Sequence, residues 1–216
     1  RTMARLEKIR RLEFTEDIEI EFIGPDEVAE RTSRNVTQFR GSDQQWEALF
    51  VVGEDRDTDR VVFETLAGRV AGWAAEEGSE TVVLITDDPD EPTAPPTLIA
   101  HELAHVLQHQ QFDLDADRYQ RATLDGEHAK DALIEGEASY LDRAYSRHCL
   151  NGSWDCVDGG SFTTGQSDLV ESDLLPYLRA PYTLGSEYVG QLIDQGGLDA
   201  VDTAHLDPPE YSVTAL

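Results

Sequence analysis

A chain of 216 residues with 39% hydrophobic residues is long enough to bury one sizeable core, and no window holds the roughly 18 consecutive apolar residues of a membrane-spanning helix. Its 44 acidic and 17 basic residues leave a net charge of -27, which repels nucleic-acid phosphates and anionic lipid headgroups, so neither nucleic acid nor a membrane surface is an expected partner. Only Lys8 and Lys130 are lysines, and this acid-rich, lysine-poor, arginine-retaining balance suits a surface that works under strong ionic screening. The chain begins at Arg1 rather than at a methionine and reads as a trimmed segment.

In chain order, residues 1–12 place Leu6, Ile9 and Leu12 at helical spacing and predict a short helix. Residues 18–23 alternate apolar and acidic side chains and stop at Gly24-Pro25, the pattern of a half-buried strand. A helix is expected over 25–39. Four short apolar runs follow, at 48–52, 61–63, 70–73 and 81–85, separated by polar stretches, so the first half predicts a small sheet carrying one or two helices. Residues 87–96, with four prolines and four acids, form a loop. Beyond it a helix is expected over 97–112, with Ile99, Leu103, Val106, Leu107 and Gln110 as its mostly apolar stripe. The acidic run 113–125 reads as a solvated connector. A second long helix is predicted over 127–148, with Ala129, Leu133, Ile134, Ala138, Leu141 and Tyr145 facing a core.

The chemistry sits on the first of these two helices, in His101-Glu102-Leu103-Ala104-His105. Positions i and i+4 share a helix face, so both imidazoles can offer a nitrogen to one metal ion while Glu102 lies beside the bound water. A catalytic zinc usually takes three protein ligands and leaves one position open. The three-histidine metzincin pattern requires glycine at 108 and histidine at 111, and both are glutamine here. His109 lies one turn beyond His105, where three ligands on one straight helix cannot close a tetrahedron, and reads as a surface residue. The third ligand is sought in Ala132-Leu133-Ile134-Glu135-Gly136-Glu137-Ala138 on the second helix. Glu135 and Glu137 point in nearly opposite directions, so only one of them reaches the metal. Glu135 is preferred because Gly136 beside it permits close helix approach, with Glu137 as the alternative.

Cys149 and Cys156 are the only cysteines and bracket a turn-rich loop. They are either two free thiols or a disulfide contributing about 2.5 kcal/mol, and the bond places the protein outside the cytoplasm. The sequons at Asn35-Val36-Thr37 and Asn151-Gly152-Ser153 point the same way.

The run 97–108 followed by 132–138 resembles the gluzincin-type zinc metallopeptidases, in particular haloarchaeal cell-surface proteins of zincin type, and the acidic, lysine-poor composition is similar to that of proteins from salt-loving archaea. Further similarity lies in Pro181-Tyr182-Thr183-Leu184-Gly185, in Gly196-Gly197 and in Ala200-Val201-Asp202. The chain departs from the family pattern at His109, where aspartate is expected, and after Pro209. The resemblance implies an α+β, zincin-like fold in one domain spanning 1–216. Its sheet lobe covers 1–96, and a helical lobe over 97–216 carries zinc on His101, His105 and Glu135. It further implies that Glu102 is the general base, that the substrate is a peptide or protein bound along an exposed strand at 80–86, and that the protein is extracellular or on the cell surface. Tyr182, Tyr188 and His205 are possible oxyanion donors, none of which the residues single out. Two other readings stay open: an inactive surface or interaction protein that retains the scaffold and its metal, and a metal-free acidic binding module.

Overall fold

The computed structural model describes residues 1–24, 27, 72–74, 80–86, 88, 94–156 and 175–212. The helix expected over 25–39, the apolar runs at 48–52 and 61–63 and the sequon at Asn35 lie outside the described residues. Within them the protein is α+β and mainly helical.

Helix α1 (Thr2–Arg10) leads into strand β1 (Glu19–Ile23), which is followed by β2 (Gly72–Ala74) and β3 (Thr81–Ile85). The sheet has the order β1-β3-β2, with β1 parallel to β3 (Ile20 opposite Val82, Phe22 opposite Leu84) and β2 antiparallel to it. The unbroken apolar run of β3 matches this position, since a strand flanked on both sides and covered on both faces has no polar side to show. Val82 and Leu84 point into the main core with Leu6, Ala100, Leu103, Ala104, Ala138 and Leu141, while Val83 packs with Ile23 on the opposite face. This corrects the assignment of residues 80–86 as an exposed substrate strand. The backbone of β3 is already paired along both edges, and β1 and β2 are the outer strands among the described residues.

Helix α2 (Pro96–Phe112) begins with proline at its first position, where no helical N–H is missed, and packs on β2 and β3. The segment after it is not the solvated connector its acidity suggests. Residues Asp117–Tyr119 form a 3-10 turn in which Tyr119 is buried, and the Arg121 guanidinium donates to the carbonyls of Pro208 and Pro209 at 3.1 and 3.2 Å. Arginine and tyrosine thus fasten this stretch to the chain's C-terminal part, and the acids lie outward.

Helix α3 (Leu124–Leu150) is capped by Thr123, whose hydroxyl accepts from the Gly126 N–H at 3.1 Å. Of its expected core positions, Ala129, Leu133, Ala138, Leu141 and Tyr145 are buried and Ile134 is half-buried. Cys149 and Cys156 are bonded, with their Cα atoms 5.5 Å apart. Helix α4 (Leu175–Gly196) and the short α5 (Leu198–Leu206) complete the description.

Contacts between α3 and α4 advance together along both helices: Tyr177 stacks on His128, Gly185 meets Ala132 and Gly136, and Ser186 meets Arg143. The two therefore run in the same direction. Their backbones touch at the glycines. A Cβ on Gly136 would lie 2.3 Å from the Gly185 carbonyl carbon, and one on Gly185 would lie 2.3 Å from the Ala132 oxygen. Gly136 does serve a close helix approach, but its partner is α4 rather than the motif helix. The consequence is that Tyr182 of α4 is brought over His101.

Candidate metal centre

His101 and His105 stand one turn apart on α2, and Glu135 faces them from α3. Their ligand atoms form a nearly equilateral triangle. The two Nε2 atoms are 3.3 Å apart, and Glu135 Oε2 lies 3.3 Å from His101 Nε2 and 3.2 Å from His105 Nε2. A tetrahedral zinc with bonds of 2.0–2.1 Å requires ligand–ligand edges of about 3.3 Å. The triangle thus matches three corners of such a site.

The proton arrangement gives a second, independent fit. His101 Nδ1 lies 3.2 Å from Asp142 Oδ2, and His105 Nδ1 lies 3.0 Å from Gln108 Oε1. Both partner atoms are acceptors, so each Nδ1 carries a proton and, in the neutral ring, each Nε2 presents a lone pair. Glu135 Oε2 is buried and has no hydrogen-bond partner. With both rings neutral, two lone pairs and a carboxylate oxygen converge without a donor between them, an arrangement that a small cation, a proton or a metal ion, satisfies.

With protons as the only cations, the same field appears as shifted pKa values. Burial opposes charge on His101, yet the carboxylates of Asp142, Glu135 and Glu102 outweigh it and raise its pKa to about 10. His105 is raised against burial by Glu135 and Glu102. Glu135 is held well below the ordinary carboxylate range, because the two imidazoles outweigh its burial. A divalent ion competes for these positions by displacing protons.

Glu102 is 5% exposed, beside His101 on the same turn, and its charge reaches both histidines and Tyr182. The Tyr182 ring stacks on His101 with centroids 6.0 Å apart and planes 19° from parallel. It is 41% exposed at the mouth of the site, and the Glu135 charge, more than burial or its hydrogen bond to that carboxylate, keeps the phenol protonated well above its ordinary pKa. Of the three tyrosine and histidine candidates only Tyr182 reaches the site. Tyr188 packs with Leu133 and Val189, and His205 is fully buried elsewhere. His109 pairs at 3.9 Å with Asp115 and is not part of the triangle.

Glu137 points away, as its spacing from Glu135 requires. It is 1% exposed and bonds Arg10, His205 Nε2 (2.7 Å) and Gln108 Nε2 (2.7 Å). His205, Arg10 and Gln108 outweigh burial and lower its pKa to about 2. Two residues beside the candidate ligands carry no motif of their own in the sequence. Asp142 lies two helical turns after Glu135 on the same face, a spacing that marks it in retrospect. Gln108 is three residues beyond His105, at the position where the metzincin pattern has glycine. Compared with known proteins, the chain matches no family model, no curated protein and no solved structure.

Proposed function

We propose that the protein is a zinc-dependent peptidase of gluzincin type with a zincin-like fold, holding its metal on His101, His105 and Glu135. The observation that carries this reading is the triangle of two lone-pair nitrogens and one unpartnered carboxylate oxygen with edges of 3.2–3.3 Å, with a glutamate next in sequence to the first histidine. A zinc ion bound there would supply a water of near-neutral pKa and would polarise a scissile carbonyl. The Glu102 carboxylate, next to His101, is the group that would take up the proton released on water attack and return it to the leaving amine. The Tyr182 hydroxyl, kept protonated by Glu135, donates to the carbonyl oxygen as negative charge develops on it. Asp142 and Gln108 hold the two imidazoles in the tautomer that binds metal.

The disulfide Cys149–Cys156 supports action outside the cytoplasm, and the net charge of -27 supports a high-salt setting. No helix among the described residues is long and apolar enough to cross a membrane. Glu102→Gln tests the reading: peptide cleavage falls by at least about 10²-fold while zinc stays bound. Unchanged turnover removes Glu102 from the chemistry. A wild-type protein that binds zinc yet cleaves no peptide at high salt is instead a surface protein retaining only the site.

A further inference from the structure

Gln108 is 2% exposed and sits where α2 meets α3. Its amide orientation follows from its partners. The NH2 group donates to the Ile134 carbonyl at 3.0 Å and to Glu137 Oε2 at 2.7 Å, and a reversed amide would press its oxygen against both acceptors in a buried space. Gln108 Oε1 is therefore left facing His105 Nδ1 at 3.0 Å and accepts its proton. Glu137 is itself fixed from the other side by Arg10 of α1 and by His205 of α5, whose Nδ1 lies 2.9 Å from the Tyr119 hydroxyl and whose carbonyl accepts from that hydroxyl at 3.0 Å. A chain of buried hydrogen bonds thus runs from three separate parts of the fold to one ring nitrogen of one candidate ligand.

We propose that Gln108 is a positioning residue that locks His105 in the Nδ1–H tautomer, so that the buried Glu137–Arg10–His205 cluster sets how tightly the site holds its metal. The inference rests on the metal reading above and goes beyond it by assigning a metal-tuning role to a network that contributes no ligand. The two histidines then differ in kind: His101 is oriented by an anionic carboxylate at the half-exposed Asp142, and His105 by a neutral amide whose orientation is set from the interior. Losing such an outer partner typically weakens metal binding by about 10–100-fold.

The test is zinc binding to the full chain by competition with a chromophoric chelator, wild type against Gln108→Met, which keeps length and volume but removes both the acceptor and the donors. The result expected is one zinc per wild-type chain and a Kd 10–100-fold weaker in the variant at unchanged stoichiometry. Equal Kd values in two folded proteins overturn the proposal and leave the metal reading standing, whereas a wild type that takes up no zinc overturns both. If Gln108→Met does not fold, the wild type decides alone by 15N–1H imidazole spectra of the zinc-loaded protein. A slowly exchanging proton on His105 Nδ1 with zinc on Nε2 is expected, and a proton on Nε2 or a freely exchanging Nδ1–H overturns it.

Discussion

Glu135 and Glu137 stand two residues apart on one helix, the first half-buried with its Oε2 enclosed and the second fully buried, and have opposite surroundings. Glu137 is neutralised from within: Arg10 and His205 supply positive charge or polarised N–H groups, Gln108 a third donor, and no further cation is called for. Glu135 meets two imidazole nitrogens whose own protons are committed elsewhere, and its Oε2 is left without a hydrogen bond. The first environment is closed and stabilises the fold. The second is short of one cation, which is what the proposed zinc would supply. An acidic residue near a histidine pair is therefore informative only with its partners counted, since a carboxylate with enough donors is structure and one without them is a binding site.

Removing the closed carboxylate has the largest expected effect. Glu137→Ala leaves the buried Arg10 with Asp202 as its remaining carboxylate partner among the described residues and takes the shared acceptor from His205 and Gln108, at a cost of about 3 kcal/mol of stability with or without zinc. Thermal melts in chelator measure this, and a loss visible only in the presence of zinc breaks the contrast. The same carboxylate sets an acid limit. Its pKa is lowered from the ordinary 4.5 to about 2, so its contribution is full above the ordinary value and is lost as pH falls from 4.5 toward 2. In chelator, the stability gap between wild type and Glu137→Gln should narrow across that window, and a gap that stays constant contradicts the assignment.

Removing the open carboxylate acts on the metal instead. Glu135→Ala should weaken zinc binding by more than about 10²-fold, a ligand counting for more than its outer partner, while the chelated variant keeps its fold. Retention of wild-type affinity would transfer the third ligand elsewhere. The smallest effect is expected at Gly136, between the two. Its Cβ has no room against the Gly185 backbone, so Gly136→Ala should force α3 and α4 apart, cost about 1–3 kcal/mol and lower turnover more than zinc affinity, because Tyr182 moves with α4 while the ligands stay on α2 and α3. Equal losses of turnover and affinity would place the disturbance in the triangle itself.

What was legible in the sequence follows the range over which the physics acts. Helices α1, α2 and α3 and strands β1 and β3 declared themselves through apolar period and turn residues, because burial of one face is a local pattern. The opposition of Glu135 and Glu137 was legible for the same reason, as both lie on one helix. The order of the sheet was not, since an apolar run such as Val82-Val83-Leu84 marks burial without saying which strands flank it. Nor was the burial of Arg5, Arg10 and Tyr119 legible, because their partners lie far along the chain, as Cys156, Glu137 and His205 do. Gly136 illustrates the boundary: the glycine announces a close approach, and only the fold says that the approaching helix is α4.

The central claim is that two imidazole lone pairs and one unpartnered carboxylate oxygen form a three-ligand zinc site. X-ray absorption at the zinc edge on protein loaded with one equivalent tests it most directly, with Glu135→Ala measured alongside. The account predicts one zinc per chain with two imidazole nitrogens and one or two carboxylate oxygens at about 2.0–2.2 Å, and loss of the carboxylate contribution in the variant. Failure to bind stoichiometric zinc, or an unchanged spectrum in Glu135→Ala, would contradict it.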